Sequence, residues 1–170
     1  MMHLDLSATL NLISTLAIVG ALIFTGLQVR AANLARREQA AITLIQTSQS
    51  ESWTCALDLI GKLPENAQAS DVERVGPELE RSIWNMGVRL ETIGYMVFRR
   101  NVTLETVDDL MGGVTLMFWS RTKNWCERDR VRTGNPKSFE WCEWLANRIS
   151  ERRQRLGHNP AHLRYARWRE

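Results

Sequence analysis

Residues 9–29 read TLNLISTLAIVGALIFTGLQV and contain no charged side chain. A helix rises about 1.5 Å per residue, so this stretch spans roughly 31 Å, close to the ~30 Å hydrocarbon core of a bilayer. Within it Asn11, Ser14, Thr15, Thr25 and Gln28 are polar, behind the opening Thr9. Asn11 and Gln28 fall near the ends, and the hydroxyls can bond back to carbonyls of their own helix. A secretory signal needs a positive leader, an apolar core of about 7–15 residues and a small-residue cleavage site. Here the leader MMHLDLS carries Asp5 and neither Lys nor Arg, and the apolar run is longer. A retained transmembrane helix is the expectation.

Arg30, Arg36 and Arg37 follow this span, whereas His3 and Asp5 precede it. Lys and Arg are retained on the cytoplasmic side. The three arginines therefore predict an N-terminus outside and a cytoplasmic remainder. On that side the sequon Asn101-Val102-Thr103 meets no glycosylation enzyme, and it reads as a turn. Ala17, Ala21 and Thr25 recur every four residues with Gly20 alongside. Small residues at this spacing let a second helix approach closely, although a lipid-facing helix that contains alanines has the same pattern.

The whole chain has 170 residues, 44% hydrophobic and 24% charged, with a net charge of +3. Those proportions exclude disordered, collagen-like and low-complexity classes. Beyond the anchor, enough chain remains for one domain with its own core. The expected organisation is a leader at 1–8, the span at 9–29, a juxtamembrane helix at 30–60, a helical bundle at 70–156 and a tail at 157–170. No strong helix breaker interrupts 30–60, and Leu34, Ala41, Ile45, Trp53, Leu57 and Ile60 mark a loose apolar stripe along it. Residues 61–76 hold Gly, Pro and Ser and read as a connection, in which Ser70-Asp71-Val72-Glu73 has the form of a capping box.

Pro77 suits a first helical position. After it come Leu79, Ile83, Met86, Leu90, Ile93 and Val97, at spacings of 4, 3, 4, 3 and 4, which is a sustained buried seam. Thr103 is a plausible N-cap for a third helix through about Trp119, followed by a shorter piece around 123–130. Asn135 and Pro136 are expected to cap and open a last helix. Its inward face is Phe139, Cys142, Leu145 and Ile149, and Gly157 is its expected C-terminal stop. No segment alternates like a strand, so the fold class is all-α: a single N-terminal transmembrane helix continuing into a small cytoplasmic bundle.

Motifs that would carry chemistry are weak. Cys55, Cys126 and Cys142 are odd in number and contain no CxxC, which favours reduced structural thiols. Cys126, Cys142, His158 and His162 lack the closely paired spacing of structural zinc, and Pro160 separates the histidines. Glu105, Asp108 and Asp109 resemble a catalytic carboxylate cluster, but acids in a first helical turn also favour the macrodipole. Gly112-Gly113 has neither a GK[ST] ending nor a preceding strand, and reads as a site of close helix packing. No catalytic residue, metal site or cofactor is expected.

Seven tryptophans all lie outside the span. A bundle of this size cannot easily bury every one, and exposed tryptophans make good interface anchors. Trp119, Trp125, Trp141, Trp144 and Trp168 are the candidates for partner binding, with two or three tryptophans expected on display and the others, Trp53 and Trp84 among the seven, open to burial in the core. From Arg148 to the C-terminus there are seven arginines against Glu151 and Glu170. Arg152, Arg153, Arg155, Arg164, Arg167 and Arg169, interleaved with His158, His162, Tyr165 and Trp168, fit anionic lipid or an acidic protein surface better than nucleic acid. Between Glu51 and Glu91 the balance reverses, with eight acids against four bases.

The anchor ending Leu27-Gln28-Val29-Arg30, the polar helix after it, and the run from Trp119 and Trp125 through Asn135-Pro136 to Phe139 together resemble a bacterial family. That family is a domain of unknown function, made of small, N-terminally anchored helical proteins. The resemblance covers most of the chain, supports the architecture and implies no activity or site residue. The functional expectation is a non-catalytic accessory subunit of a larger integral-membrane complex, of the respiratory or photosynthetic kind, whose partners are membrane protein subunits. The alternative is a membrane-tethered regulatory module that forms homo-oligomers through the long helix and the 79–97 seam.

Overall fold

The computed structural model describes residues 6–48, 50–157 and 160–169, without the side chains of residues 6–8, 33–34, 36–38, 40–41, 43–45, 47–48 and 161. The chain divides into two units, Met1–Gln39 and Ala40–Glu170. Among the described residues there are seven helices and no strand, so the protein is all-α.

Helix α1 runs Leu6–Ser48. Within it, Thr9–Ala32 is long and apolar enough to cross a membrane, with a mean hydropathy of 2.1. Leu16, Leu22 and Phe24 stand out from it, each more than 60% exposed. Thr15 and Thr25 donate their hydroxyls to the carbonyls of Asn11 and Ala21, each at 2.8 Å, so neither leaves an unsatisfied polar group on that apolar surface. His3 and Asp5, and the side chains of Arg36, Arg37, Leu34, Ala41 and Ile45, lie outside the described residues.

The uninterrupted helix expected over 30–60 is instead divided, because α2 starts afresh at Glu51 and runs to Gly61. Ser50 is extended (φ −77°, ψ 142°), and its carbonyl accepts from the amides of Trp53 and Thr54. Arg89 donates to the hydroxyls of Ser50 at 2.6 Å and Ser52 at 3.0 Å. Serine favours caps over helix interiors, and an arginine remote in sequence fixes this one. Trp53 and Ile60 are buried on α2, and Leu57 packs against the core.

Helix α3 (Ala69–Val75) does have a capping box, displaced from the expected one: the pair is Gln68 and Asp71, with the Gln68 amide donating to Asp71 at 2.9 Å. Helix α4 (Pro77–Phe98) begins on its proline and buries every member of the predicted seam. Full burial of one such side chain stabilises by about 1.5–3 kcal/mol. Helix α4 packs on α2 and α6, and α5 packs on α6.

Helix α5 (Leu104–Thr133) is one continuous element, where two pieces divided near Trp119 were expected. Thr103 caps it, accepting from the Thr106 amide at 3.0 Å. The polar stretch after Trp119 stays helical because tertiary contacts use its side chains. Arg121 donates to the Gly61 carbonyl, and Asn124 donates to the carbonyls of Asn66 at 3.1 Å and Ala67 at 3.0 Å. The α2–α3 connection is thereby tied to α5.

Helix α6 (Glu140–Leu156) starts later than the Asn135-Pro136 signal predicts. Asn135 accepts from the Lys137 amide at 3.1 Å and so closes a turn instead of a helix cap. The N-cap position is taken by Phe139 in the left-handed region, φ 59°. Gly157 ends α6 at φ 78°, as predicted, and a short α7 (Ala161–Arg164) follows.

Candidate interaction surfaces

Two glycines let α6 approach α4. A Cβ on Gly87 would overlap the ring of Phe139, and one on Gly94 would overlap the Trp141 carbonyl. Phe139 is therefore 3% exposed against α4, with Trp84 at 4.9 Å and Trp125 at 6.3 Å between ring centroids. Burial of that ring offsets the roughly 1–3 kcal/mol cost of a left-handed non-glycine residue. Phe139 offers no side-chain cap, and Glu91 of α4 supplies one from outside the helix. Its Oε2 accepts from the Cys142 amide at 2.8 Å, and the Trp141 amide also bonds to it. Burial raises the Glu91 carboxyl above its usual range, and the two amide bonds oppose this only in part.

The same junction displays an aromatic face. Phe98 lies 4.6 Å from Trp141 and 6.2 Å from Trp144, Tyr95 lies 5.6 Å from Trp141, and the two tryptophans are 5.9 Å apart, all between centroids. Tyr95 and Phe98 are 46% and 52% exposed, while Trp141 and Trp144 are half-buried. Edge-on and tilted contacts of this kind fix the rings relative to one another. Arg99 and Arg100, both exposed, follow directly at the end of α4.

A second cluster joins the first turns of α5 to the end of the chain. Asp108, its side chain 6% exposed, accepts from Arg153 Nε at 2.8 Å and lies within ion-pair distance of Arg152 Nε, at 3.3 Å, without a hydrogen bond to it. Arg152 also reaches Glu105 at 3.2 Å, and Arg164 pairs with Asp109. The Tyr165 hydroxyl lies 3.2 Å from Glu105 and 3.3 Å from Asp109. Gly112 makes room for this: a Cβ there would meet the Asp108 carboxylate and the Arg153 guanidinium, whereas Gly113 faces open space. Of the three acids only Glu105 lies in the first turn of α5, with Asp108 and Asp109 a turn further in. Of the two arginines Arg153 lies in the last turn of α6. The macrodipole therefore favours Glu105 and Arg153, and the aspartates depend on their arginine partners. The three carboxylates thus serve as structural counter-charges.

The tryptophans divide accordingly. Trp125 is 4% exposed and belongs to the core, which removes it from the partner-binding candidates. Trp119 is half-buried beneath the Arg130 guanidinium, at 6.0 Å. Trp141 and Trp144 share the aromatic face with Tyr95 and Phe98, two residues that spacing alone did not single out. Trp168 is 70% exposed. Of the six tail arginines, Arg152, Arg153 and Arg164 are committed to acids within the chain. Among the described residues Arg155 bonds only to the Glu151 carbonyl, and Arg167 and Arg169 make no ion pair. On α1, Ala17, Gly20, Ala21 and Thr25 are all exposed, with nothing within 4 Å of a Cβ placed on Gly20, and Arg30 is exposed as well.

Cys126 and Cys142 are buried and Cys55 is exposed. Desolvation pushes the Cys126 thiol up to about 12 and Cys142 well above its ordinary value, so both act as apolar packing groups rather than as nucleophiles. Among the described residues no group of three or more His, Cys, Asp or Glu side chains is placed to hold a metal ion. His162 is exposed on α7, and His158 lies outside the described residues.

Comparison with known families gives one match, to the family described as Domain of unknown function (DUF4760), over residues 11–149. No curated protein and no solved structure matches the chain. The matched range takes in the apolar span and α2 to α6 down to Ile149, and leaves out the tail.

Proposed function

This chain belongs to the DUF4760 family, and from its own side chains we propose that it is a single-pass, non-catalytic accessory subunit of a larger membrane assembly. The observation that carries the reading is the aromatic face of Tyr95, Phe98, Trp141 and Trp144. It is held rigid by the Gly94 contact and the Glu91 cap, yet open to solvent. Aromatic side chains fixed in one arrangement lose little entropy on association and make strong interface anchors. The occupant is a membrane protein neighbour with an apolar recess and an acidic rim, complementary to Arg99 and Arg100. The small-residue face of α1 is a second point of attachment within the bilayer. With the basic flank at Arg30, Arg36 and Arg37, the bundle belongs on the cytoplasmic side of a bacterial inner membrane.

Absence of catalysis fits the use to which the ionisable groups are put: the acid trio is bound to arginines, and two of the three thiols are inert by burial. Self-association through the 79–97 seam has no free surface to draw on, since α2 and α6 cover it. The test is mild detergent extraction of the native membrane, size separation and mass spectrometry, on the natural chain and on Phe98→Asp. Co-migration of the natural chain with a large complex, lost in Phe98→Asp at unchanged helicity, is the expected outcome. Migration of the natural chain alone, or only with its own copies, sinks the reading.

A further inference from the structure

We propose that the C-terminal segment 160–169 binds the anionic headgroups of the bilayer in which the chain is anchored, with Arg167 and Arg169 on the phosphates and Trp168 and Leu163 in the interfacial layer. This rests on the membrane-anchored part of the reading above, and not on the existence of a protein partner.

One side of the segment is already occupied. Arg164 pairs with Asp109 and stacks over Tyr165 at 4.8 Å, and the Tyr165 hydroxyl reaches Glu105 and Asp109. Past α7 the backbone keeps turning, with the Trp168 amide donating to the Tyr165 carbonyl at 2.8 Å. The segment is thus fastened to α5 at 164–165, and its other side chains are left over. Arg167 and Arg169 are exposed without an ion pair to any described residue, Trp168 is 70% exposed and Leu163 59%.

Arginine beside tryptophan and leucine on a short element is interfacial chemistry. The indole prefers the headgroup layer, the guanidinium takes phosphate oxygens in a fork, and the leucine enters the acyl boundary. A bilayer accepts such a set without shape complementarity, which suits side chains that project from an isolated turn. Tethering to one bilayer raises the effective concentration of lipid for the whole chain, so two arginines without an ion pair among the described residues and one tryptophan suffice where an untethered peptide would need more. Sequence alone overcounts this basic surface, because Arg152, Arg153 and Arg164 are neutralised from within.

The experiment uses the full-length chain in lipid nanodiscs of phosphatidylcholine, with and without phosphatidylglycerol. Acyl chains brominated close to the headgroup serve as quencher. Tryptophan emission of the natural chain minus that of Trp168→Phe isolates residue 168. The expected result is Trp168 quenching several-fold stronger in the phosphatidylglycerol discs. It should fall at about 1 M salt, where the screening length is near 3 Å. It should also be lost in Arg167→Gln/Arg169→Gln at an unchanged unfolding midpoint. Equal quenching in both lipids, or none in either, overturns the proposal. Retained quenching in a chain that extracts without partners leaves the proposal standing and removes only the accessory-subunit reading. A chain that enters neither disc rejects the anchor and this inference together.

Discussion

Helices α4 and α5 lie in one bundle and bury their seams with the same stepping, but they build those seams differently. On α4 the buried positions 79, 83, 86, 90, 93 and 97 are apolar throughout. On α5 the buried row at the same stepping is 108, 111, 115, 118, 122, 125 and 129, in which every second member is polar (Asp108, Thr115, Thr122 and Asp129), with Val107, Gly112 and Cys126 buried beside it. Burying a polar group costs free energy unless it is hydrogen-bonded. The threonines meet that cost inside their own helix, donating to the carbonyls of Met111 at 3.0 Å and Phe118 at 2.8 Å. Asp108 meets it with an arginine of α6, and Asp129 only in part, since its Oδ1 takes Arg132 one turn on while its buried Oδ2 has no hydrogen-bond partner among the described residues. A seam can therefore be continuous in space while its hydrophobic signal in sequence is halved.

The sharpest test of this contrast removes one apolar residue from each seam. Leu90→Ala on α4 and Phe118→Ala on α5 both empty fully buried positions, and each should lower stability by about 2–5 kcal/mol in denaturant unfolding. A cost for Phe118→Ala well below that of Leu90→Ala would make α5 a peripheral helix.

The polar positions of α5 should separate into two kinds. Asp108→Ala strands Arg153 and leaves Arg152 with Glu105 alone, their side chains being 29% and 18% exposed, and should cost about 2 kcal/mol after screening by water. Thr122→Val removes a hydroxyl that bonds only to its own helix and should change stability by less than about 1 kcal/mol. Similar losses in the two variants would break the distinction.

The smallest effect concerns Glu91, the polar exception on the α6-facing side of α4. Its carboxyl is raised above the ordinary 4.5 by burial, so the folded chain holds that proton more tightly than the unfolded chain. The contribution to stability is then fully present below the unfolded value and is lost as pH rises through the raised folded one. Glu91→Gln keeps an accepting oxygen for the α6 amides and should flatten the fall in stability above pH 4.5, with little change in helicity. A pH profile identical to that of the natural chain would show that Glu91 does not titrate in this window.

Much of this architecture was legible in the residues. An uncharged run of bilayer length, a 4-3-4-3-4 apolar seam, Pro77 at a helix start, Thr103 at a cap and Gly157 at a stop are local signals, and each held. Apart from the capping box of α3, which is local, the misread boundaries share one cause, since each depends on a side chain distant in sequence. Arg89 secures the break at Ser50, Arg121 and Asn124 hold α5 through its polar middle, and Glu91 caps α6 four residues beyond the Asn135-Pro136 signal. Candidate binding residues suffered likewise. Tryptophan count marked Trp141 and Trp144, but their partners Tyr95 and Phe98 come from another helix, and Gly94 gives no sign of what approaches it.

What the sequence determined by itself was helix content, the membrane-length span and the apolar seam of α4, because propensity, length and periodicity act over neighbouring residues. Only the tertiary structure decided which tryptophans face outward, which arginines are already neutralised, and how α5 buries aspartate and threonine. Burial and charge pairing depend on what lies opposite a side chain, and for Arg153 and Arg164 the paired aspartate stands 45 and 55 positions away along the chain.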